Sequence, residues 1–515
     1  MGKRNRKKRK VFQIWWIAIL TLLVFCMLLW ESGPIRKNPT VQSIKLLGGL
    51  SATTAPKKKD GSKRREKDPE IRVLLKTTGF ASLFHKDITL TSSQKYTVTI
   101  DGEETGYDGG KKIAFHSSDK KWKGKKIAIN PSSGERLQIL SIKRQGRCPK
   151  YRSRIELAWK KGGFLVYNTL SLEEYLYAVV PSELSTSSEM EALKAQAVCA
   201  RSYAYNQMKS HRYDKYHGDV DDSEAFQVYN NVPEDRRSRK AVKSTRGMVL
   251  TKGGKVVQTY YYSTSWGYTA DGRDVWNTDS DIPYLQGKFQ ITEESQRDTG
   301  KKEEDLSGED AFLSFLRRPG CETYDSGASW YRWNVSVGQG SLSARIDNLL
   351  SACYSQNPNL VLTQTKSGRY VKKPLKSMGT VRKIRAEHRT GSGLVTEIVI
   401  VGSENVVKVV TQHNIRKVLA PLYERITYND GKSHRFMSML PSAAFCVSTL
   451  TEGEEVSFLF IGGGLGHGAG LSQCGAARMA KMGKSYQEIL LHFFIGTELM
   501  NMADLKVGYR SVTNS

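Results

Sequence analysis

Carboxylates are in short supply in this 515-residue chain, where 51 Asp and Glu face 79 Lys and Arg for a net charge of +28. That deficit argues against an acidic partner and for an anionic one: nucleic acid first, a wall or membrane surface second. Cysteine is sparse as well, with seven residues standing singly and neither a C-x-x-C nor an H-E-x-x-H in the chain. The usual zinc patterns are therefore missing, and no metal and no cofactor is expected. The nucleophile elbow G-x-S-x-G is absent too, since Gly468-Ala469-Gly470-Leu471-Ser472 misses its spacing. A dinucleotide fingerprint exists by letter at Gly464-Leu465-Gly466-His467-Gly468-Ala469, but no acidic strand end follows to hold a ribose. With 39% hydrophobic and 25% charged residues, the composition is that of a globular protein and excludes a disordered or collagen-like chain.

Long apolar runs are absent with one exception. Val11–Trp30 carries no charge and has the length of one membrane span, about 20 residues. Lys3, Arg4, Arg6, Lys7, Lys8, Arg9 and Lys10 precede it, and no small-residue cleavage site follows. The expectation is an uncleaved signal anchor in the cell membrane, single-pass, with the N-terminus cytoplasmic and the bulk extracytoplasmic. Nucleic acid then drops out as the partner, and the anion becomes cell-wall polymer or lipid headgroup.

The chain divides on this reading into a cytoplasmic basic tail (1–10), a transmembrane signal anchor (11–30), a basic linker (31–69), a β-rich lobe (70–160) and a mixed region (161–505). Ser171-x-x-Glu174 and Ser188-x-x-Glu191 read as capping boxes that open two helices, with Pro181 breaking the first. Hairpins are expected around 252–255 and 402–405, and a final strand, Val456–Ile461, leads through a glycine loop into one helix over Ser472–Phe494. Helices and strands mix without strict βαβ alternation, so the expected fold class is α+β: one N-terminal transmembrane helix, then an extracytoplasmic α+β domain with a β-rich N-terminal lobe.

Three blocks carry a resemblance. Ser171–Leu176 with Val179-Val180-Pro181-Ser182-Glu183-Leu184 and Glu191–Ala204 form the first; Tyr261-Tyr262-Ser263-Thr264-Ser265-Trp266-Gly267-Tyr268-Thr269 with Asp274-Val275-Trp276 form the second. Gly466-His467-Gly468-Ala469-Gly470-Leu471-Ser472-Gln473-Cys474-Gly475 is the third. In this order they resemble the stage II sporulation protein D (SpoIID/LytB) family over about 71–500, which makes 161–505 the catalytic region. The resemblance implies a lytic transglycosylase that cuts stem-peptide-free peptidoglycan glycan strands to 1,6-anhydro-muramyl ends, in sporulation engulfment or wall remodelling.

By position the catalytic residue is Glu183. From the residues alone it reads first as a surface glutamate capping a helix start. A transglycosylase needs only one carboxyl group, which gives a proton to the leaving oxygen and then takes one from the muramyl O6 hydroxyl as the ring closes. Val179, Val180, Pro181 and Leu184 surround Glu183 in sequence and would raise its pKa. The resemblance offers as substrate-binding candidates Arg201, Gln227, Tyr229, Tyr262, Ser263, Ser265, Thr269, His467 and Gln473. Two departures stand out: Trp266 and Cys474 replace the family's usual glycine and tryptophan, and Asp219–Phe226 lacks the His/Cys zinc cluster of some members. Trp266 reads as a sugar platform or as a plug in the cleft, and 286–344 has no legible role. The alternative reading is a non-catalytic peptidoglycan-binding amidase enhancer. A cell-wall amidase and other engulfment proteins are the further partners the resemblance implies.

Overall fold

The computed structural model describes residues 68–210, 212–318 and 322–505. The basic tail, the expected span at 11–30 and the linker up to residue 67 lie outside the described residues.

The alternating runs near the start of the described chain become a seven-stranded sheet. Its order is Val220–Asp221, Glu70–Leu74, Gly163–Ser171, Arg154–Lys160, Ile127–Pro131, Tyr96–Ile100, Glu103–Tyr107. Gly163–Ser171 is buried along nearly its whole length, because Glu70–Leu74 and Arg154–Lys160 pair with it antiparallel on either side while helices cover it. Ile71, Val73, Ile155, Val166 and Leu170 meet Leu172, Tyr175, Leu176 and Val179 in one core, so the sheet and the first long helix form a single packed body. A second core gathers Trp333, Val335, Val337, Ile398, Ile400, Val407, Phe458 and Phe460, between two five-stranded sheets and the helix Gln339–Gln356.

Helix α1 (Leu172–Glu183) starts as the sequence suggests, with the Ser171 hydroxyl accepting from the Glu174 N–H at 3.2 Å. Glu174 does not close the box, because its carboxylate accepts from the Ser153 hydroxyl at 2.8 Å. Pro181 lies inside this helix instead of ending it. The second box is not formed: helix α2 (Met190–Gln207) begins after Glu189, without a side-chain cap. Its small-residue face, Ala192, Ala195, Ala197, Ala200 and Ala204, is fully buried. The single helix expected over 472–494 is two, Gln473–Lys481 and Tyr486–Phe493, divided by a turn at Gly483 whose φ of +84° suits glycine.

The expected fold class needs one correction. The described residues are mixed α+β, but none of their helices is long and apolar enough to cross a membrane. The 18-residue helices show why: α2 carries Glu191, Lys194 and Arg201, and Gln339–Gln356 carries Arg345 and Asp347.

Candidate functional site

Glu183 is the last residue of α1. The segment 226–232 wraps that helix end: Asn230 N–H donates to the Ala178 carbonyl at 3.3 Å, and Val232 N–H to the Ser182 hydroxyl at 3.1 Å. This wrap brings the Val228 N–H to Glu183 Oε1 at 2.7 Å. The Tyr261 hydroxyl bonds the same carboxyl group. Burial pushes the Glu183 carboxyl up to about 7, against those two hydrogen bonds, which pull it down; the nearby charge of Glu224 adds a smaller push upward. Glu183 is only partly buried by surface, so solvent or a ligand reaches it.

Strand β1 (Tyr261–Tyr262) pairs in parallel with β2 (Leu471–Ser472), which joins the second and third sequence blocks. Close approach there demands glycine. At Gly470 the φ is +81°, and a Cβ would stand 2.2 Å from the Tyr260 carbonyl oxygen. His467 fixes the pairing further: Ala469 N–H donates to its Nδ1 at 3.2 Å, so Nε2 carries the hydrogen and donates to the Tyr261 carbonyl at 3.1 Å. Burial pushes this imidazole down to about 4, so it is neutral at ordinary pH and acts as a brace for β1. Gln473 completes the bridge, donating from Nε2 to the Glu183 carbonyl at 3.0 Å and to Gln196 Oε1 at 3.3 Å.

The remaining candidates sit behind this centre. Gln227 is buried and donates to the Tyr261 hydroxyl at 3.1 Å, while its own oxygen accepts from Tyr175 at 3.4 Å. Tyr229 is a core residue, stacked on Tyr175 with its hydroxyl on Asn168 at 2.6 Å. Arg201 is fully buried and forks onto Glu173 at 2.7 and 2.9 Å, with further bonds to the Met248 and Val242 carbonyls. It ties α2 to α1, which makes it a positioning group and not a substrate contact. Tyr262 is buried, and its hydroxyl has no partner among the described residues. Ser263 is part-exposed and shares a hydrogen bond with Thr264 at 3.0 Å. Thr269 is buried and accepts from the Lys288 N–H at 2.9 Å. Trp266 is 1% exposed, its ring beneath Gly468 and its indole N–H on the Ser392 carbonyl, so it is neither platform nor plug.

Sequence reasoning passed over two residues. Tyr261 lies within the quoted motif, but in a run of three tyrosines strand parity alone does not say which one faces the acid. Asp325 comes from the 286–344 segment and carried no local signal. Buried among the blocks, it accepts from the Ser265 N–H at 3.0 Å, the Ser265 hydroxyl at 2.8 Å and the Ser472 hydroxyl, and burial pushes its carboxyl up to about 6. Ser265 is thus held from below by Asp325 and is itself fully buried. Among the described residues no group of three or more His, Cys, Asp or Glu is placed to hold a metal.

Residues 160–251, which contain Glu183, Arg201, Gln227 and Tyr229, match the family described as stage II sporulation protein. Residues 362–470 match a domain of unknown function (DUF8618). An amidase enhancer of Bacillus subtilis is 27% identical over 334 residues, 63% of this chain and 40% of that protein. An uncharacterized protein of Brachyspira hyodysenteriae is 26% identical over 339 residues, 65% of this chain and 68% of that protein. Stage II sporulation protein D of Bacillus subtilis is 36% identical over 131 residues, 23% of this chain and 38% of that protein. The chain thus spans well under half the length of the two named relatives. Residues 160–251, which hold Glu183, carry the stage II sporulation protein match, and the chain is similar in part to stage II sporulation protein D and to the amidase enhancer.

Proposed function

We propose that the chain acts outside the cytoplasm on peptidoglycan, cutting stem-free glycan strands as a lytic transglycosylase with Glu183 as its one acid and base. The observation that carries this reading is the state of Glu183: solvent-accessible, yet raised by burial to about 7, where the carboxyl gives up and regains a proton with equal ease. Protonated, it donates to the glycosidic oxygen as the C1–O bond breaks. The carboxylate left behind is met by the Val228 N–H and the Tyr261 hydroxyl, and it then removes the proton from the muramyl O6 hydroxyl as O6 bonds C1. Atoms balance without a water molecule, so no second carboxylate has to activate one. Digestion of stem-free glycan strands by the protein and by Glu183→Gln, read by mass spectrometry, tests this. The protein should release 1,6-anhydro-muramyl ends and the variant none; strands left intact by the unaltered protein overturn it.

A second reading has its own support. The relative that matches over 63% of this chain is named an amidase enhancer, and on that reading the same site binds glycan and stimulates a separate wall amidase without cutting.

A further inference from the structure

We propose that Tyr203, Tyr260 and Trp276 form a saccharide subsite beside Glu183, taking one uncharged sugar ring of the bound strand; this rests on the glycan-cleaving reading above. Three segments far apart in sequence bring these rings together. Tyr260 stacks on Trp276 with centroids 3.9 Å apart, Tyr203 meets Tyr260 edge-on at 6.0 Å, and the neutral His467 ring lies 5.4 Å from Trp276. Tyr260 directly precedes Tyr261, whose hydroxyl bonds the Glu183 carboxyl, and Tyr203 lies within reach of the same charge, so the cluster adjoins the acid.

All three rings are partly exposed. Several core tyrosines spend their hydroxyls on protein partners, though among the described residues Tyr151 and Tyr262 do not. Tyr229 donates to Asn168, Tyr167 to the Tyr216 carbonyl and Tyr96 to the Lys111 carbonyl, whereas the hydroxyls of Tyr203 and Tyr260 have no hydrogen-bond partner among the described residues. Among the described residues no cation is stacked on any of the three rings, although Arg and Lys cover several other aromatic faces and the charge of Arg212 reaches Tyr203. A phosphodiester polymer or an acidic peptide would need such cations. Flat apolar rings with free hydroxyls and no paired charge fit a pyranose, whose C–H face packs on an aromatic ring while its hydroxyls bond the tyrosines.

The test is binding of stem-free glycan strands to Glu183→Gln protein, measured by calorimetry at low and high salt. Adding Trp276→Ala or Tyr260→Ala should weaken binding about tenfold, the double change Tyr203→Phe/Tyr260→Phe by a few fold, and salt should change little. Unchanged affinity in a folded Trp276→Ala protein overturns the subsite, as does affinity that collapses with salt. If Trp276→Ala loses its thermal transition, the double Phe variant decides, since it removes two hydroxyls and no ring. The two readings separate cleanly. Glycan bound through these rings without release of anhydro ends refutes cleavage and leaves the subsite; cleavage indifferent to these rings refutes the subsite alone.

Discussion

The side-chain amide of Gln473 donates to the main-chain carbonyl of Glu183 at 3.0 Å, across 290 residues of sequence. The acid is thereby held by its backbone as well as by its carboxylate, and the glycine-rich block near the end of the chain acts on the end of α1. Gln473→Ala should lower kcat about tenfold while KM stays nearly constant, at a stability cost of about 1 kcal/mol. Steady-state cleavage of glycan strands beside urea unfolding checks both halves.

Cleavage should fall as pH rises through about 7, the value to which burial lifts Glu183, because the donated proton is lost there. Stability follows the same group. Its folded pKa stands above the ordinary 4.5, so the unfolded chain ionises first, and the stability present below pH 4.5 is progressively lost as pH rises to about 7. Glu183→Gln should therefore be more stable than the unaltered protein at pH 8 by roughly 1–3 kcal/mol, and near parity at pH 4.5. Urea unfolding at both pH values reads the difference. A gap independent of pH would mean that the carboxyl is not held in this state.

Arg201→Met should destabilise by about 3–5 kcal/mol, because it leaves the Glu173 carboxylate buried with little more than the Gly247 N–H at 3.1 Å. Replacing both partners, as Arg201→Met with Glu173→Leu, should restore most of the loss. A single variant that keeps its stability and raises KM would instead return Arg201 to the substrate.

Asp325→Ala should cost about 2–4 kcal/mol, since the Ser265 N–H and the Ser265 and Ser472 hydroxyls lose their shared acceptor in the interior. Hydrogen exchange should show faster opening at 261–265 and 471–475, while the core of the seven-stranded sheet stays protected.

Glu183 stood out in the sequence through the resemblance its local block carries, a helix, a turn and a second helix; from the residues alone it read as a surface glutamate. The α+β character and the first helix start were legible because periodicity and capping are short-range. What the sequence did not reveal depends on long-range contact. Arg201 looks like a surface cation until Glu173 is found opposite it, Ser265 like a solvent-facing hydroxyl until Asp325 arrives beneath it, and Tyr261 like either of its neighbours until β1 pairs with β2. Pro181 misled because the helix runs two residues past it although Pro181 has no N–H to offer the Tyr177 carbonyl.

On the glycan-cleaving reading, the bond from Gln473 to Glu183 also sets the smallest piece of this protein expected to work. The recognisable segment, 160–251, holds the acid but neither the hydroxyl of Tyr261, the brace of His467, nor Gln473 itself. A fragment cut to that segment would carry the family's signature and an unsupported carboxylate. A proteolytic nick that frees the last helices would silence the acid without touching it.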